Sequence, residues 1–309
     1  MFQPEILAWK AFHPHPFWSG SRSYVVRAGE EIVAHGCIVP SEVLTGGDPL
    51  RGARIIDWAA NRLFPGSGSR IFSGILQLVD VVFAVGGSLD TLRILPLMGF
   101  KQTQTCTRYV RVIRPLRRWR LSDDRSWKGP ARAARDLFRL TKPTHSAGAG
   151  WSIRRIERFG ETAAPVMPLV PGPDGLAPCR RTPELLNYLL ACPAAAIEGY
   201  LLFRRGQLAG YAVLSRVGQE CRLAEVWIAS SSASEWADAY AVTANAASRA
   251  AETTMLTARR FSPEHSLCLA AAAFQAVGSE PLFRKERQPK WPDDRMVELG
   301  ILDDDFLYL

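Results

Sequence analysis

A stretch of small residues separates an apolar run from an amphipathic segment in the sequence NRLFPGSGSRIFSGIL, residues 61–76. Its centre consists of four small residues, Gly66, Ser67, Gly68 and Ser69. Glycine lets the backbone adopt a positive φ and lets a ligand approach the N–H groups. The first turn of a helix adds unpaired N–H donors and partial positive charge. With Arg62 and Arg70 alongside, the stretch predicts a phosphate or pyrophosphate site; the alternative is a tight loop in which Ser69 caps the helix.

Two titratable side chains near this loop could serve in a proton transfer. Asp57 lies late in the preceding apolar run, ARIIDWAA at 53–60, and is the first candidate for a general base. A strand-end carboxylate that caps the loop is an equally good interpretation of the same residue. His35 is the second candidate because histidine is the residue type best suited to proton transfer at neutral pH, although a single histidine in an apolar hairpin is more often packed in the core.

The remaining chemistry-bearing residues do not form a recognisable site. The six cysteines are far apart and include no CxxC pair, so neither a zinc site nor a disulfide scaffold is predicted. Cys106 stands without a histidine at a telling spacing and is interpreted as a core thiol. The acidic run Asp303–Asp305 is interpreted as solvated. We therefore expect no metal.

Composition and terminal patterning favour a soluble globular protein. The 309 residues are 47% hydrophobic and 22% charged, which is typical of a folded chain. A spanning helix needs about 20 mostly apolar residues, and Asp80 interrupts the most apolar stretch, 71–89. The N-terminus shows no signal-peptide pattern. Together with the reduced thiols, these features predict a cytoplasmic protein without a transmembrane segment.

Several segments recur at nearly one offset, which indicates an internal duplication. PEILAWKAFHP at 4–14 aligns with PELLNYLLACP at 183–193, an offset of 179. Two predicted hairpins, beginning at Tyr24 and Tyr200, are offset by 176. Each hairpin is followed by a third apolar run, at 53–60 in the first half and at 222–229 in the second.

Both halves then continue with a helix, a strand, a helix and a strand. In the first half these are a helical stripe at 71–79, VVFAV at 81–85, a helix at 89–98 stopped by Gly99, and a strand at 103–113. In the second half the helical stripe runs from Trp236 to Ala251, and the last helix is predicted from His265 to Val277, before Gly278. We therefore predict a mixed α/β (α+β) fold.

The two copies differ at their start. WSIRRIE at 151–157 predicts an edge strand before the second copy, whereas only three residues precede Pro4 in the first. Either the first copy lacks this initial strand, or the chain begins late relative to its relatives.

Positive charge is concentrated in the middle of the chain. The net charge is +8, yet residues 111–158 carry 14 basic and 4 acidic side chains, and residues 159–309 carry 14 and 18. Prolines and the run SAGAG at 146–150 are linker signals. We predict a first domain at 1–115, a basic linker at 116–150 and a second domain at 151–309.

The element order and the glycine loop resemble the GNAT (GCN5-related N-acetyltransferase) superfamily, in a tandem two-domain form. In that family the coenzyme A pyrophosphate lies on a loop Arg/Gln-x-x-Gly-x-Gly/Ala after the fourth strand. Gly66 and Gly68 match the two glycine positions, whereas the basic position falls on Leu63. The segment SLDTLRILPLMGF at 88–100 resembles the last helix of the family. The proton-donating tyrosine of many members is replaced by Leu95, and by Phe274 in the second half.

The resemblance implies an acyl-CoA-dependent N-acyltransferase that acts directly on an amine, with acetyl-CoA or another acyl-CoA as donor. Asp57 and His35 would be its catalytic candidates. The donor would be held by the strand residues Ile56 and Trp58, whose backbone N–H groups would face the oxyanion, and by the loop residues Arg62, Gly66, Ser67, Gly68, Ser69 and Arg70. The acceptor would be a small-molecule or polymer amine.

Two other functions stay open. The second half has only serines in IASSSASEW at 228–236, and both copies lack the tyrosine, which would suit an inactive binding or scaffold protein. Peptidoglycan-building aminoacyl transferases also carry tandem GNAT-like halves and use charged tRNA. Basic residues at helical spacing, Arg132, Arg135, Arg139 and Lys142, could contact tRNA or an acidic surface through 111–145, although a solvated linker is the simpler interpretation.

Overall fold

The computed structural model describes residues 4–121, 128–141, 145, 147–148, 150–170, 175–292 and 295–307. Its eight helices in these ranges are α1 Pro4–Phe12, α2 Ser67–Leu78, α3 Leu89–Leu97, α4 Pro115–Arg120, α5 Lys128–Leu140, α6 Pro183–Leu190, α7 Ala233–Ala247 and α8 Pro263–Ala271. None of these helices is long and apolar enough to cross a bilayer.

The strands of the described ranges form one large and one small sheet. They are β1 Ser23–Ala28, β2 Glu31–Val43, β3 Leu50–Ala60, β4 Val81–Val85, β5 Lys101–Val112, β6 Trp151–Ile156, β7 Leu176–Pro178, β8 Ala196–Arg204, β9 Gln207–Val217, β10 Glu220–Ile228, β11 Met255–Arg260, β12 Gln275–Glu286 and β13 Met296–Glu298. The order in the large sheet is β1-β2-β3-β4-β12-β5-β11-β10-β9-β8-β6, and β13 pairs with β7. The mixed α/β fold class is therefore confirmed.

The two halves exchange their last strands at the centre of the large sheet. β12 of the second half lies between β4 and β5, while β5 of the first half lies between β11 and β12. Each half also has one parallel pair, β3 with β4 and β10 with β11, among otherwise antiparallel neighbours. The sheet therefore has an approximate twofold relation between halves of the same element order.

The two edges of the large sheet differ, as expected from the edge strand predicted at 151–157 before the second copy only. β6 precedes the second copy and pairs with β8 at one edge, from Trp151 to Ile156. At the other edge the order ends with β1, and in the described ranges no strand lies beyond it. Within the large sheet of the described residues, the first half therefore contributes five strands and the second half six.

The prediction for the last helix was wrong. α8 ends at Ala271, and Val277 and Gly278 lie in β12. The left-handed residue after the helix is Ala273, with φ 65°, so Ala273 takes the place that Gly99, with φ 82°, takes after α3. Phe100 N–H donates to the carbonyl of Leu95 as Phe274 N–H donates to that of Leu269. The counterpart of Leu95 is therefore Leu269 and not Phe274.

The segment predicted as a basic linker contains α4 and α5. Arg114 anchors the start of α4 to the second half, because its guanidinium donates to the carbonyl oxygens of Thr253 and Ser248. Arg132, Arg135 and Arg139 lie on α5 as their spacing predicts, and Lys142 lies outside the described residues. The domain boundaries at 115 and 150 stay a prediction.

Candidate functional site

Strands β3 and β4 diverge beside the glycine loop. They pair only at Gly52–Arg54 with Val81–Phe83, and β3 then continues to Ala60 without β4. A bulge in β3 follows directly. Cys37 of β2 pairs with Ile56 and His35 of β2 pairs with Ala59, so β3 has one extra residue between the two pairs. Asp57 lies in this bulge with φ 50°, a left-handed conformation that aspartate tolerates better than most residues. A bulge bends its strand and increases the local twist, so the bulge at Asp57 helps to open a cleft between β3 and β4.

The glycine loop places an open helix N-terminus next to this cleft. Gly66 occupies the N-cap position of α2 with φ 81°. The N–H of Ser67 donates to Phe64 and that of Arg70 to Gly66. Within the described part of the chain, no acceptor is recorded for the N–H groups of Gly68 and Ser69. These two donors and the helix dipole are what a phosphate oxygen requires.

The alternative interpretation, with Ser69 as the cap, was wrong. Ser69 lies in the first turn of α2, and its hydroxyl donates to the carbonyl oxygen of Gly66 at 2.8 Å. Gly66 is exposed and has no side chain that could occupy the N-terminus of α2, while Gly68 behind it is buried. Ser67 is buried, and its hydroxyl lies 3.4 Å from the carbonyl oxygen of Val33.

The second glycine of the loop is required by close packing. A Cβ at Gly68 would lie 2.8 Å from Cζ2 of Trp58 and 3.0 Å from the Cβ of Ala60. The Trp58 indole N–H donates to the carbonyl oxygen of Gly68 at 3.2 Å, and its ring packs edge-on against Phe72. Trp58 thereby ties the bulged part of β3 to the start of α2.

The two arginines of the loop are exposed. Arg62 pairs with Asp90 at 2.9 Å, and Asp90 belongs to the first turn of α3. This ion pair therefore links the glycine loop to the neighbouring helix. Arg70 lies on the first turns of α2 and is also exposed. Both side chains are long enough to reach an anion bound at the N-terminus of α2.

Asp57 has a buried partner that the sequence did not reveal. The ammonium of Lys10, on α1, pairs with the Asp57 carboxylate and lies 3.3 Å from Oδ2 of Asp305. The Lys10 side chain is only 4% exposed. Burial raises the pKa of Asp305 to about 7, with the Asp304 carboxyl as a further cause. A lysine and two carboxylates therefore meet at the bulge.

His35 lies against the same bulge. Its Nδ1 is 3.2 Å from the carbonyl oxygen of Asp57, and its Nε2 is 2.9 Å from the hydroxyl of Ser23. Because a carbonyl oxygen only accepts, Nδ1 carries the proton, and Nε2 accepts from Ser23 in the neutral ring. The structure thus brings His35 and Asp57 together, although His35 contacts the backbone of Asp57 and not its carboxylate.

The C-terminal acidic run is buried, so its interpretation as a solvated segment was wrong. Asp303 binds Arg181, and Asp304 binds Arg54 at 2.7 Å and Arg259 at 3.1 Å. Asp305 reaches Lys10, as described above. Three consecutive carboxylates therefore neutralise buried cations from both halves. Their partners lie 45 or more positions away in the sequence, so no local pattern could have indicated them.

The corresponding cleft of the second half is filled. β10 and β11 pair only at Glu220–Arg222 with Met255–Thr257, and the strands then diverge as β3 and β4 do. Here the Arg260 guanidinium donates to the Val226 carbonyl oxygen between the strands. Glu225, the counterpart of Asp57, is buried against Arg181.

The tyrosine position is occupied by buried leucines in both halves. Leu95 and Leu269 are both fully buried. Cys106 is buried, and burial raises the pKa of its thiol to about 12, so it is not a nucleophile at neutral pH. Among the described residues, no group of three or more metal-ligating side chains comes together.

A scan against protein-family models and a search of curated proteins both find no match. Among solved structures, the N-myristoyltransferase of Saccharomyces cerevisiae, crystallised with myristoyl-CoA and inhibitors, aligns with a TM-score of 0.57 at 12% identity, over 92% of this chain and 72% of that one. A GCN5-related N-acetyltransferase from Anabaena variabilis gives 0.54 at 11% identity, over 87% and 63%. Another, from Kribbella flavida, gives 0.50 at 14%, over 86% and 60%.

The chain thus spans less than two thirds of the length of these two acetyltransferases. At sequence identities this low, the similarity is evidence for a shared fold alone. The strand order of this chain and the divergence of β3 from β4 agree with it. The chain has the fold of the GNAT superfamily, arranged as two GNAT-like halves that share one sheet.

Proposed function

We propose that the protein transfers an acyl group from an acyl-CoA to an amine, and that the acyl-CoA binds in the first half. The observation that carries this proposal is the cleft between β3 and β4 beside the open N-terminus of α2. The similar yeast enzyme was crystallised with myristoyl-CoA, which supports a donor of this class. The second half, whose cleft is filled by Arg260, would hold no acyl-CoA.

The loop would bind the pyrophosphate of the donor. The N–H groups of Gly68 and Ser69 would donate to it, since neither has an acceptor in the described part of the chain. Arg62 would leave its ion pair with Asp90 to bind a phosphate oxygen. The free-energy cost of breaking this pair is small because both side chains are exposed. Arg70 would contribute positive charge from the side.

The bulged strand would bind the part of the donor that reacts. The donor supplies a thioester carbonyl when it is bound. Backbone N–H groups of β3 near Ile56 and Trp58 would stabilise the negative charge that develops on its oxygen. The unpaired edge of β3 is the only part of this strand that could align with an extended chain in the cleft, because its other edge pairs with β2.

Three groups at the bulge could accept the proton that the attacking amine loses. The Asp57 carboxylate is engaged by the ammonium of Lys10, so it would have to leave this ion pair to take up a proton. His35 could accept through Nε2, which faces Ser23. We propose Asp305 as the best-matched base, held in place by Lys10. Its pKa of about 7 lies near the value at which a general base is most effective.

A pH–rate profile distinguishes these bases. If Asp305 is the base, Asp305→Asn should abolish the rise of kcat/KM near pH 7, whereas His35→Gln should keep it. Asp57→Asn should change kcat without removing the rise, because Asp57 then acts through Lys10. A rise that persists in Asp305→Asn would exclude Asp305.

The binding step is tested by calorimetry with acetyl-CoA and a longer acyl-CoA. Gly66→Glu places a carboxylate at the loop, and Gly66→Gln has the same size and the same strain at φ 81° without the charge. Two unit charges 4 Å apart repel by about 1 kcal/mol in water, so a doubly charged pyrophosphate should bind Gly66→Glu about 5- to 30-fold more weakly than Gly66→Gln. Equal affinities for the two variants would contradict the loop assignment.

A non-catalytic acyl-CoA-binding protein is the second candidate. The observation that favours it is the leucine at the tyrosine position of both halves, Leu95 and Leu269, neither of which can donate a proton to the departing thiolate. A panel of amines, polyamines and N-terminal peptides should release free CoA if the protein is an enzyme. Retained acyl-CoA binding without release from any of them would favour the binding protein.

The proposal also covers the identity of the acyl donor and of the acceptor. Acetyl-CoA is the first donor to test, and the acceptor amine is a small molecule or a polymer. All six cysteines are unpaired and buried, which supports a reducing compartment such as the cytoplasm.

A further inference from the structure

A cavity of about 700 Å³ lies between the end of β5, the C-terminal end of α8 and the basic helices α4 and α5. The cavity is remote from the glycine loop, since none of its lining residues belongs to β3, β4 or α2. Its volume is within the range of small-molecule sites. We call it the arginine cavity, after the six arginines among its described lining residues: Arg108, Arg111, Arg118, Arg132, Arg135 and Arg139.

The lining of the arginine cavity combines this charge with an apolar surface. Asp136 is the one carboxylate among the described lining residues. Asp136 is already shared by Arg135 at 3.0 Å, Arg139 at 3.2 Å and Arg118 at 3.9 Å. The apolar side includes valines of β5 and Phe274. Among the described lining residues, arginines therefore outnumber carboxylates six to one.

Arg111 is the decisive residue, because no carboxylate of the described residues forms an ion pair with it. Its guanidinium makes one hydrogen bond, to the carbonyl oxygen of Ala272 at the end of α8. Its Nε is buried without an acceptor in the described part of the chain. Burial lowers the pKa of Arg111, and no carboxylate in the described part of the chain opposes that effect. An arginine charge that is desolvated without a counter-ion destabilises a folded protein, unless a ligand supplies the missing anion.

We propose that the arginine cavity binds an organic phosphate, with its phosphate on Arg111 and its apolar or aromatic body against the valines of β5 and Phe274. A guanidinium forms two parallel hydrogen bonds to a phosphate, which would satisfy both Nε and the second Nη of Arg111. The site is independent of the proposed acyl-CoA site, because the two share no residue.

The test is calorimetry of the full chain with 1-naphthyl phosphate, inorganic phosphate and 1-naphthol. We expect 1-naphthyl phosphate to bind about tenfold or more tightly than either fragment, because only it uses both parts of the cavity. Arg111→Met should weaken its binding about tenfold or more, since hydrogen bonds to charged groups are lost. The matched control is Arg120→Met, an exposed arginine of α4 that does not line the cavity; it should change the affinity less than about twofold.

The melting temperatures of the variants without ligand provide a second measurement, which does not require tight ligand binding. Because its charge is uncompensated, Arg111→Met should leave the melting temperature unchanged or raise it. A lower melting temperature together with unchanged affinity for 1-naphthyl phosphate would overturn the proposal. Gly66→Glu should leave 1-naphthyl phosphate binding unaffected, so that failure of this site and failure of the acyl-CoA site are separable.

A nucleic acid is the competing occupant, and the same variants exclude or establish it. If the basic helices contact tRNA, filter binding should show strongly salt-dependent affinity. The exposed Arg120 should then matter as much as Arg111. That result, with no binding of 1-naphthyl phosphate, would overturn the proposal.

Discussion

Arg181 is the buried cation on which the second half and the C-terminal segment converge, and its removal gives the sharpest stability prediction. Its Nε donates to both oxygens of Glu225, at 3.1 and 2.8 Å. Its two Nη atoms donate to Asp303 at 2.9 and 2.7 Å. Burial alone would lower the pKa of Arg181, yet the charges of Asp303 and Glu225 raise it well above its usual range.

Arg181→Met keeps the aliphatic stem and leaves two carboxylates buried without a cation. The side chains of Glu225 and Asp303 are only 8% and 5% exposed. Removing one partner from a buried ion pair costs about 3 to 5 kcal/mol. We therefore expect a loss in that range at pH 8, measured from the urea midpoint of unfolding. The variant Arg181→Met/Glu225→Gln/Asp303→Asn removes both charges as well and should recover most of the loss.

The loss should depend on pH in a defined direction. Burial favours the neutral form of a carboxyl group that has lost its cation. The folded variant should then bind more protons than the unfolded chain, so its stability should fall as the pH rises from 5 to 8. Relative to the wild type, the deficit should be larger at pH 8 than at pH 5.

The neighbouring residue provides the control. Arg180 is 42% exposed and pairs with Glu42 at the surface, so Arg180→Met should cost about 1 kcal/mol or less. A loss below about 1 kcal/mol in Arg181→Met, or an equal loss at pH 5 and pH 8, would refute the assignment of this ion-pair cluster as an anchor of the C-terminal segment.

Three further predictions follow from single positions. Gly68→Ala should weaken acyl-CoA binding in calorimetry, because its Cβ would meet Trp58 at 2.8 Å, whereas Gly66→Ala has open space and should keep binding at a cost of about 1 kcal/mol in stability. Ala273→Gly should raise stability by about 0.5 to 1 kcal/mol in urea unfolding by relieving a left-handed alanine, and no gain would argue against that strain. Asp305, whose pKa is about 7 when folded and near 4 when unfolded, destabilises the fold as pH rises through that interval; Asp305→Asn should remove this slope, and an unchanged slope would contradict the burial of its carboxylate.

Periodicity and turn residues predicted most of the fold because the relevant interactions are local. The hairpins, the helix after the glycine loop and the strand at 151–156 all have signals within a few residues of where they occur. The last helix was placed too far because an alanine, and not a glycine, adopts the left-handed conformation that ends it. Only the surrounding structure holds Ala273 in this conformation, so its sequence carries no stop signal.

The sequence predicts the backbone of the candidate site, the glycine loop, but not the buried ion pairs beside it. Gly66 and Gly68 indicate a cradle because only glycine meets the requirements of a positive φ and of contact with Trp58. Lys10 gave no signal, because its side chain is buried by contacts with residues 47 and 295 positions away. The exchange of β5 and β12 was equally hidden, since pairing across the duplication depends on the assembled sheet.

The acidic run at the C-terminus connects the duplication to the asymmetry between the halves. Asp57 and Glu225 occupy corresponding positions of β3 and β10, at or beside a bulge in each strand, and each faces a buried cation, Lys10 or Arg181. In the second half, the rigid guanidinium of Arg181 donates two hydrogen bonds to Asp303 and two to Glu225. In the first half, Asp305 and Asp57 share a lysine that has a single ammonium group. The first cluster contains Asp305, whose pKa burial raises to about 7. One duplicated framework thus holds a guanidinium between two carboxylates in one half and an ammonium between two carboxylates in the other, which is the half in which we propose that the acyl-CoA binds.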